Sequence, residues 1–446
     1  MRIPLKSIEK CFTFFALQLF TGAVLPLVQE KAGLGMDLSQ GDLVTQAFFY
    51  VVYLVTFFLI VARWKLFIRN ATKNKLLWLL LGIVLISALW SVVPDLTLRR
   101  SFAMVGTTLF GVYLGTRYNL KEQLHLLAWT LGTGAVFSIL LVITLPSYGT
   151  MGGLYTGAWQ GIYGHKNTLG QLMVISALVF LLLSMSSSRR IWVARAGFGL
   201  SVSLLLLANS KSSLVVLLTL LILLPFCKAL QQNYTMGTIL FIILMILVGG
   251  VANLLVSNLE TILGAFGRDA TLTGRTDIWG AVLDKIKERP WLGYGYKVFW
   301  LSQHGEADYV WNANPWRPNH AHNGFLELTL DLGLLGLLVF VLGFLSAYLG
   351  ALICILSVKT AVCLWPLLYL TFMLLTNLSE SSLLRQNNIY WVLYVAVICS
   401  TSNNIQWWQN LKFLGNYHRQ NKFRKFWQQT KVTIFVDETA NVNFVT

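Results

Sequence analysis

The feature that most restricts this chain is a succession of about twelve apolar runs, each near the roughly 20 residues that an α-helix needs to cross a bilayer. They fall near 11–28, 43–62, 76–94, 101–116, 124–145, 168–186, 191–208, 212–230, 236–256, 325–356, 360–378 and 388–402, bounded by charges or turn residues. Composition agrees, with 56% hydrophobic and 12% charged residues against the roughly 25% charged of a soluble domain. The expected fold is an all-α integral membrane protein of about 12 transmembrane helices. Arg2, Lys6 and Lys10 precede the first run and no small-residue cleavage site follows it, so a retained first span is expected rather than a cleaved signal. Cys11, Cys227, Cys354, Cys363 and Cys399 all lie in apolar runs and read as small hydrophobes, not as a disulfide framework or metal site.

The formal charge of +16 suggests nucleic acid in a soluble protein, but its distribution points to loop asymmetry instead. With the N-terminus inside, 21 of the 34 Lys+Arg face the cytoplasm, among them Arg63, Lys65, Arg69, Lys73, Lys75 and the cluster from Lys412 to Lys431. The short outer loops hold Lys31, Arg99, Arg100, Lys166, Lys211 and Arg385. This asymmetry predicts cytoplasmic termini and an outward-facing long loop between the ninth and tenth spans. The chain then divides into 1–256, the first nine spans; 257–322, a large extracytoplasmic loop; 323–402, the last three spans; and 403–446, a basic tail expected against the anionic inner leaflet. Arg99-Arg100, Lys166 and Lys211 sit at span ends on the disfavoured side with no adjacent acid, which makes them candidate anion contacts; snorkelling to lipid phosphate is the plainer alternative. No tandem repeat, and no pair of broken spans of the transporter kind, is visible.

The long loop has seven acids and seven bases, so its net charge is near zero. Within it, Thr276 to Arg289 reads as an amphipathic helix: Ile278, Val282 and Ile286 share a face, Asp277 suits the N-terminal end and Pro290 stops it. Such a helix is able to lie on a membrane surface. Trp291, Tyr294, Tyr296, Phe299, Trp300, Tyr309, Trp311 and Trp316 follow. They suit stacking on sugar rings, and equally the aromatic belt of any membrane interface.

The chemistry concentrates where this loop meets the tenth span, in Asn319-His320-Ala321-His322-Asn323. Asn323, Glu327 and Asp331 repeat at i+4 and share a face, which puts two carboxylates on the first turns of an otherwise apolar helix. Three readings of His320 and His322 stand side by side: satisfied structural histidines; metal ligands, which lack a visible third ligand or a zinc-type spacing; or a general base at an outward-facing cavity. The last is preferred. Cations at Arg275, Lys166, Lys211 and Arg99-Arg100 are then candidates to stabilise a departing diphosphate without a metal or other cofactor. His320 and Asn323 are further candidate substrate contacts.

The order Gly274-Arg275 with Trp279, then Pro290-Trp291-Leu292-Gly293-Tyr294-Gly295, then His322-Asn323 with nine residues before Gly333-Leu334-Leu335-Gly336, resembles the superfamily of O-antigen ligases and O-antigen polymerases, bacterial membrane glycosyltransferases. Gly164-His165-Lys166-Asn167 further resembles its exopolysaccharide polymerases. The resemblance implies a glycosyltransferase fold of GT-C type and a polyprenyl (undecaprenyl) diphosphate-linked oligosaccharide donor on the outer face of the cytoplasmic membrane. It implies inverting, metal-independent transfer to the hydroxyl of a glycan or lipid acceptor, with polysaccharide export or chain-length proteins as further partners. By the same resemblance His322 is the catalytic base and Arg275 contacts the diphosphate. Apart from the resemblance, Glu327 on the helix face is a candidate catalytic residue that orients His322 or else pairs with a cation such as Arg317 or Arg385. Many members carry arginine where this chain has Lys211, a point charge instead of a bidentate fork.

Polymerisation of surface or exopolysaccharide repeat units is the favoured expectation, on Gly164-His165-Lys166-Asn167 alone. Ligase-type transfer to lipid A core, protein or wall polymer is the alternative within the class. A flippase for lipid-linked sugars, or a scaffold of an export complex, is the alternative outside it.

Overall fold

A computed structural model describes residues 5–23, 43–186, 191–233, 235, 275–301, 305–314 and 317–402. Among these the protein is built from α-helices and short 3-10 turns, with one isolated bridge between Thr150 and Trp159. In chain order the helices are α1 Leu5–Phe20, α2 Leu43–Val61, α3 Trp64–Ala71, α4 Lys75–Ile86, α5 Pro94–Arg117, α6 Leu120–Thr144, α7 Lys166–Met185, α8 Ile191–Leu207, α9 Lys211–Gln232, α10 Arg275–Glu288, α11 Asp308–Asn312, α12 Gly324–Ser357, α13 Trp365–Asn377 and α14 Ile389–Ser402. Five of them (α2, α6, α7, α9 and α12) are long and apolar enough to cross a membrane, or six if the bent pair α3 and α4 forms one span. The expected ninth span, 236–256, and the tail from 403 lie outside the described residues.

Local chemistry sets several helix boundaries away from the apolar runs. Pro94 at the first turn with Asp95 beside it starts α5 seven residues ahead of its run at 101, so Arg99 and Arg100 are helical and not in a loop. An Asn119–Glu122 capping box starts α6. His165 and Asn323 cap α7 and α12 with their own side chains. The large apolar core gathers around α7, which packs against α6, α8, α9 and α13 and is buried along almost its whole length. α2 instead turns Phe48, Val51, Leu54 and Phe58 outward, as a lipid-facing helix does.

A second, smaller core lies in the loop ahead of α12. Ile278, Ala281 and Val282 of α10 pack with Tyr294, Phe299, Val310, Ala321 and Leu330. The amphipathic helix is thus where the periodicity places it, but its apolar face is covered by its own loop and is not presented to a membrane. Tyr294, Tyr296 and Phe299 are likewise fully buried core, whereas Trp291 is 70% exposed. Tyr294, Tyr296 and Phe299 are therefore core and not a surface platform, whereas Trp291 and Tyr309 remain exposed and Trp316 lies outside the described residues.

The loop is fastened to α12 through a break in that helix. Gly333 has φ 66° and ψ −171°, and across it the backbone of 290–295 supplies the missing partners. Tyr294 and Gly295 donate to the carbonyls of Leu330 and Asp331, at 2.8 and 3.1 Å, while Leu334 and Leu335 donate to those of Pro290 and Trp291, at 2.8 and 3.3 Å. The two backbones approach most closely at Gly333, where a Cβ would overlap the Trp291 carbonyl, and nearly as closely at Gly293, where it would meet the carbonyl of Leu330. The two glycine-rich sequence motifs are one hydrogen-bonded joint.

Candidate active site

Below the joint, Glu327 and Asp331 reach a common partner that sequence reasoning missed. The Lys297 ammonium lies 3.2 Å from Glu327 Oε1 and 2.9 Å from Asp331 Oδ2, with side-chain exposures of 16, 5 and 1%. The Lys297 amide donates to Asp331 Oδ1 at 3.0 Å, and Arg100 donates to the Lys297 carbonyl. Lys297 is thus the cation that both carboxylates share. Arg100 thereby reaches this cluster through a backbone carbonyl. Carboxylates hold Lys297 above the ordinary amine range despite its burial, the largest opposing effect. Lys297→Met is expected to leave two buried carboxylates uncompensated and to cost about 3–5 kcal/mol, read as a large fall in the unfolding temperature of the purified protein; an unchanged temperature would refute the cluster.

Glu327 has a second task. Its Oε2 accepts from Trp300 Nε1 at 3.1 Å and from the Ala321 amide at 2.8 Å, while Trp279 Nε1 donates to the Ala321 carbonyl at 3.0 Å. The peptide before His322 is therefore held on both sides. The expected pairing of Glu327 with Arg317 or Arg385 is corrected: its cation is Lys297, because the turn at 297 brings that amine under α12. Glu327 is a positioning residue that acts through the backbone it holds.

His322 itself takes φ 51°, a left-handed conformation uncommon for a residue with a side chain. Its amide donates to His320 Nδ1 at 3.1 Å, and the two rings lie 3.9 Å apart between centroids. Asn323 spends its side-chain oxygen on capping α12, accepting from the amides of Phe325 and Leu326 at 3.0 and 3.2 Å.

Elements distant in sequence complete the site. Arg275 opens α10 and lies 3.8 Å from Glu380, in the segment after α13. Glu380 also accepts from Asn167 Nδ2 at 3.0 Å, and Asn167 Oδ1 accepts from Ser210 Oγ at 3.1 Å. His165 accepts from the Asn167 amide. Lys166 reaches the Asn209 carbonyl at 3.4 Å and lies 4.0 Å above the Tyr155 ring, near enough to Lys211 to feel its charge. The N-termini of α7, α9, α10 and α12 thus gather around the imidazoles, each contributing a partial positive charge. Sequence reasoning missed Glu380 and Asn167. Glu380, an isolated acid just beyond an apolar run, carried the same signal that singled out the outer cations.

Burial first, then the charge of Arg275, pushes the His322 imidazole down to about 4. Burial, His322 and Arg385 push His320 well below its ordinary value. Both rings are neutral near pH 7, with a ring nitrogen able to take a proton. Burial pushes the Glu380 carboxyl up, and Arg275 opposes it. His320, His322 and Glu380 offer three donor atoms within 4.8 Å of one another, so Glu380 supplies the third ligand that the sequence lacked. The surrounding charges are mixed: Arg385, Lys297 and Arg275 disfavour positive charge on the His320 ring, and at His322 Arg275 disfavours it while Glu327 favours it.

Known proteins bear on this arrangement. Residues 172–341 match the family model described as O-antigen ligase. The exopolysaccharide production protein ExoQ of Rhizobium meliloti is 26% identical over 281 residues, 60% of this chain and 62% of its own length. Proteins of Rickettsia conorii and Rickettsia prowazekii, provisionally named polysaccharide ligases, are 39% and 41% identical over 69 residues, 15% of this chain and 17% of theirs. The matched segments therefore span less than two thirds of each relative. The family region contains Lys211, Arg275, His320, His322 and the Gly333 joint, so over these residues the chain is similar to the O-antigen ligase family and to proteins named for exopolysaccharide production and polysaccharide ligation.

Proposed function

We propose that the protein transfers a glycan from a polyprenyl diphosphate carrier to a hydroxyl acceptor on the outer face of the cytoplasmic membrane, with inversion and without a metal. The single observation that carries this reading is the neutral His322 imidazole set among four helix N-termini and the Arg275 guanidinium. A ring nitrogen of His322 takes the proton of the acceptor hydroxyl as its oxygen bonds to the anomeric carbon; the bond from that carbon to the diphosphate oxygen breaks on the opposite face. The leaving diphosphate keeps the electron pair, and Arg275, Lys166 and Lys211 stabilise its charge. Until it arrives, Glu380 holds Arg275. The about twelve spans, the cytoplasmic termini and an outward-facing site belong to this proposal.

Gly164-His165-Lys166-Asn167 and the name of ExoQ favour polymerisation of exopolysaccharide repeat units. The names of the Rickettsia relatives favour the second reading, ligation to a different acceptor. A deletion strain that makes single-repeat glycans supports polymerase; full-length unattached chains support ligase.

The imidazole gives a pH test. A base held near 4 stays neutral and active as pH falls through 6.5, so the acidic limb of kcat/KM, which reports the free enzyme, is expected between about 4 and 5. Arg275→Gln removes a repulsion from protonated His322, so the limb should move toward neutral pH while the maximal rate drops. A wild-type limb at 6.5 or above would refute the assignment.

A further inference from the structure

At the end of the bundle opposite the imidazoles, α3 meets α4 at 90°. Trp64, Phe67 and Ile68 share one arc of α3, with Trp64 and Ile68 exposed, and Lys65 and Arg69 lie on the next arc. Exposed apolar residues with a tryptophan and flanking bases are what a helix lying in a membrane interface carries. The turn after it is fixed to α14: Asn74 Nδ2 donates to the Asn70 carbonyl at 3.0 Å and reaches Ser402 Oγ at 3.5 Å.

Beside this corner a cleft of about 170 Å³ opens between α4, α12 and α14. Lys73, Lys75 and Ser402 are at its mouth, and Leu80, Phe340 and Ile398 form its walls. Its wall on α12 runs from Val339 to Ala347, about 12 Å at the helical rise, close to the roughly 15 Å of one leaflet's hydrocarbon. Gly343 keeps it open, since an added Cβ would meet only Leu76 and Tyr394, at 3.7 and 3.8 Å.

We propose that this cleft holds an anionic phospholipid of the surrounding bilayer, with its phosphate between Lys73 and Lys75 and one acyl chain along the apolar walls. A basic mouth at the level of an interfacial helix fits the phosphate, and a leaflet-deep apolar slot fits the chain. Burial and the charge of Arg69 both pull the Lys73 amine below its ordinary value, and a bound phosphate opposes both. The site is independent of the chemistry at His322.

The test uses the full chain purified in neutral detergent. Phosphatidylglycerol, phosphatidylcholine with the same chains, and inorganic phosphate are added separately while thermal unfolding and lipid retention in native mass spectrometry are followed. Phosphatidylglycerol is expected to raise the unfolding temperature and to be retained, and the other two are not. Lys73→Gln with Lys75→Gln should weaken retention about thirtyfold, the effect of two interfacial lysines. Gly343→Leu, which fills the slot, should lower retention with the headgroup site intact. An equal response to phosphatidylcholine or to inorganic phosphate, or full retention in both variants, overturns the proposal.

Discussion

His322→Ala is expected to slow glycan transfer by at least about 10²- to 10⁴-fold, the range over which a positioned general base acts. The measurement is the product ladder formed by the reconstituted protein from a polyprenyl-diphosphate oligosaccharide, with and without chelator. Alanine also has to adopt φ 51° here, a left-handed conformation that costs roughly 1–2 kcal/mol. His322→Asn separates the two effects, because asparagine tolerates that backbone but supplies no base. Both variants should retain the wild-type unfolding temperature to within a few degrees and lose the ladder. An asparagine variant that still polymerises removes His322 from the proton transfer, and a wild-type ladder that vanishes with chelator removes the metal-free reading.

Gly333→Ala is expected to be the most damaging small substitution in the fold. A side chain at φ 66°, ψ −171° occupies a region that only glycine adopts freely, and the new Cβ would overlap the Trp291 carbonyl. Strain of order 1–3 kcal/mol comes with separation of 290–295 from α12, so Tyr294, Gly295, Leu334 and Leu335 lose partners together. The variant should unfold at markedly lower temperature and lose transfer with it. By contrast Gly336→Ala, at a helical position where the nearest obstacle is the side chain of Leu332, should be milder. Equal effects at the two positions would mean that the joint does not depend on the backbone break.

Several features were legible because they are local. Apolar runs give helices wherever their ends carry a cap or a proline, as at Pro94, Asn119 and Asn323. The 3.6-residue periodicity gave α10 to within one residue at each end. The face shared by Glu327 and Asp331 was read from i+4 spacing, and both do meet one partner. The superfamily motif marked the His322 segment, which the match over 172–341 includes.

Contacts between residues far apart in the chain were not legible. Outward cations looked alike in sequence, yet Arg100 donates to the Lys297 carbonyl whereas Arg275 faces Glu380. Glu327 looked like a partner for an imidazole and instead holds the Ala321 amide and Lys297. The loop aromatics looked like a surface and became a core once α10 folded over them.

By itself, then, the sequence determined the helices of the described residues, the likeness to the O-antigen ligase family and the segment that bears the histidines, because helix formation and hydrophobic periodicity depend on neighbours within a few residues. Only the tertiary structure decided which charges pair, Lys297 with Glu327 and Asp331 and Arg275 with Glu380. Burial and the charge of Arg275 push the His322 imidazole down, and the site around it depends on residues as far apart as Asn167, Arg275 and Glu380 coming within a few ångströms.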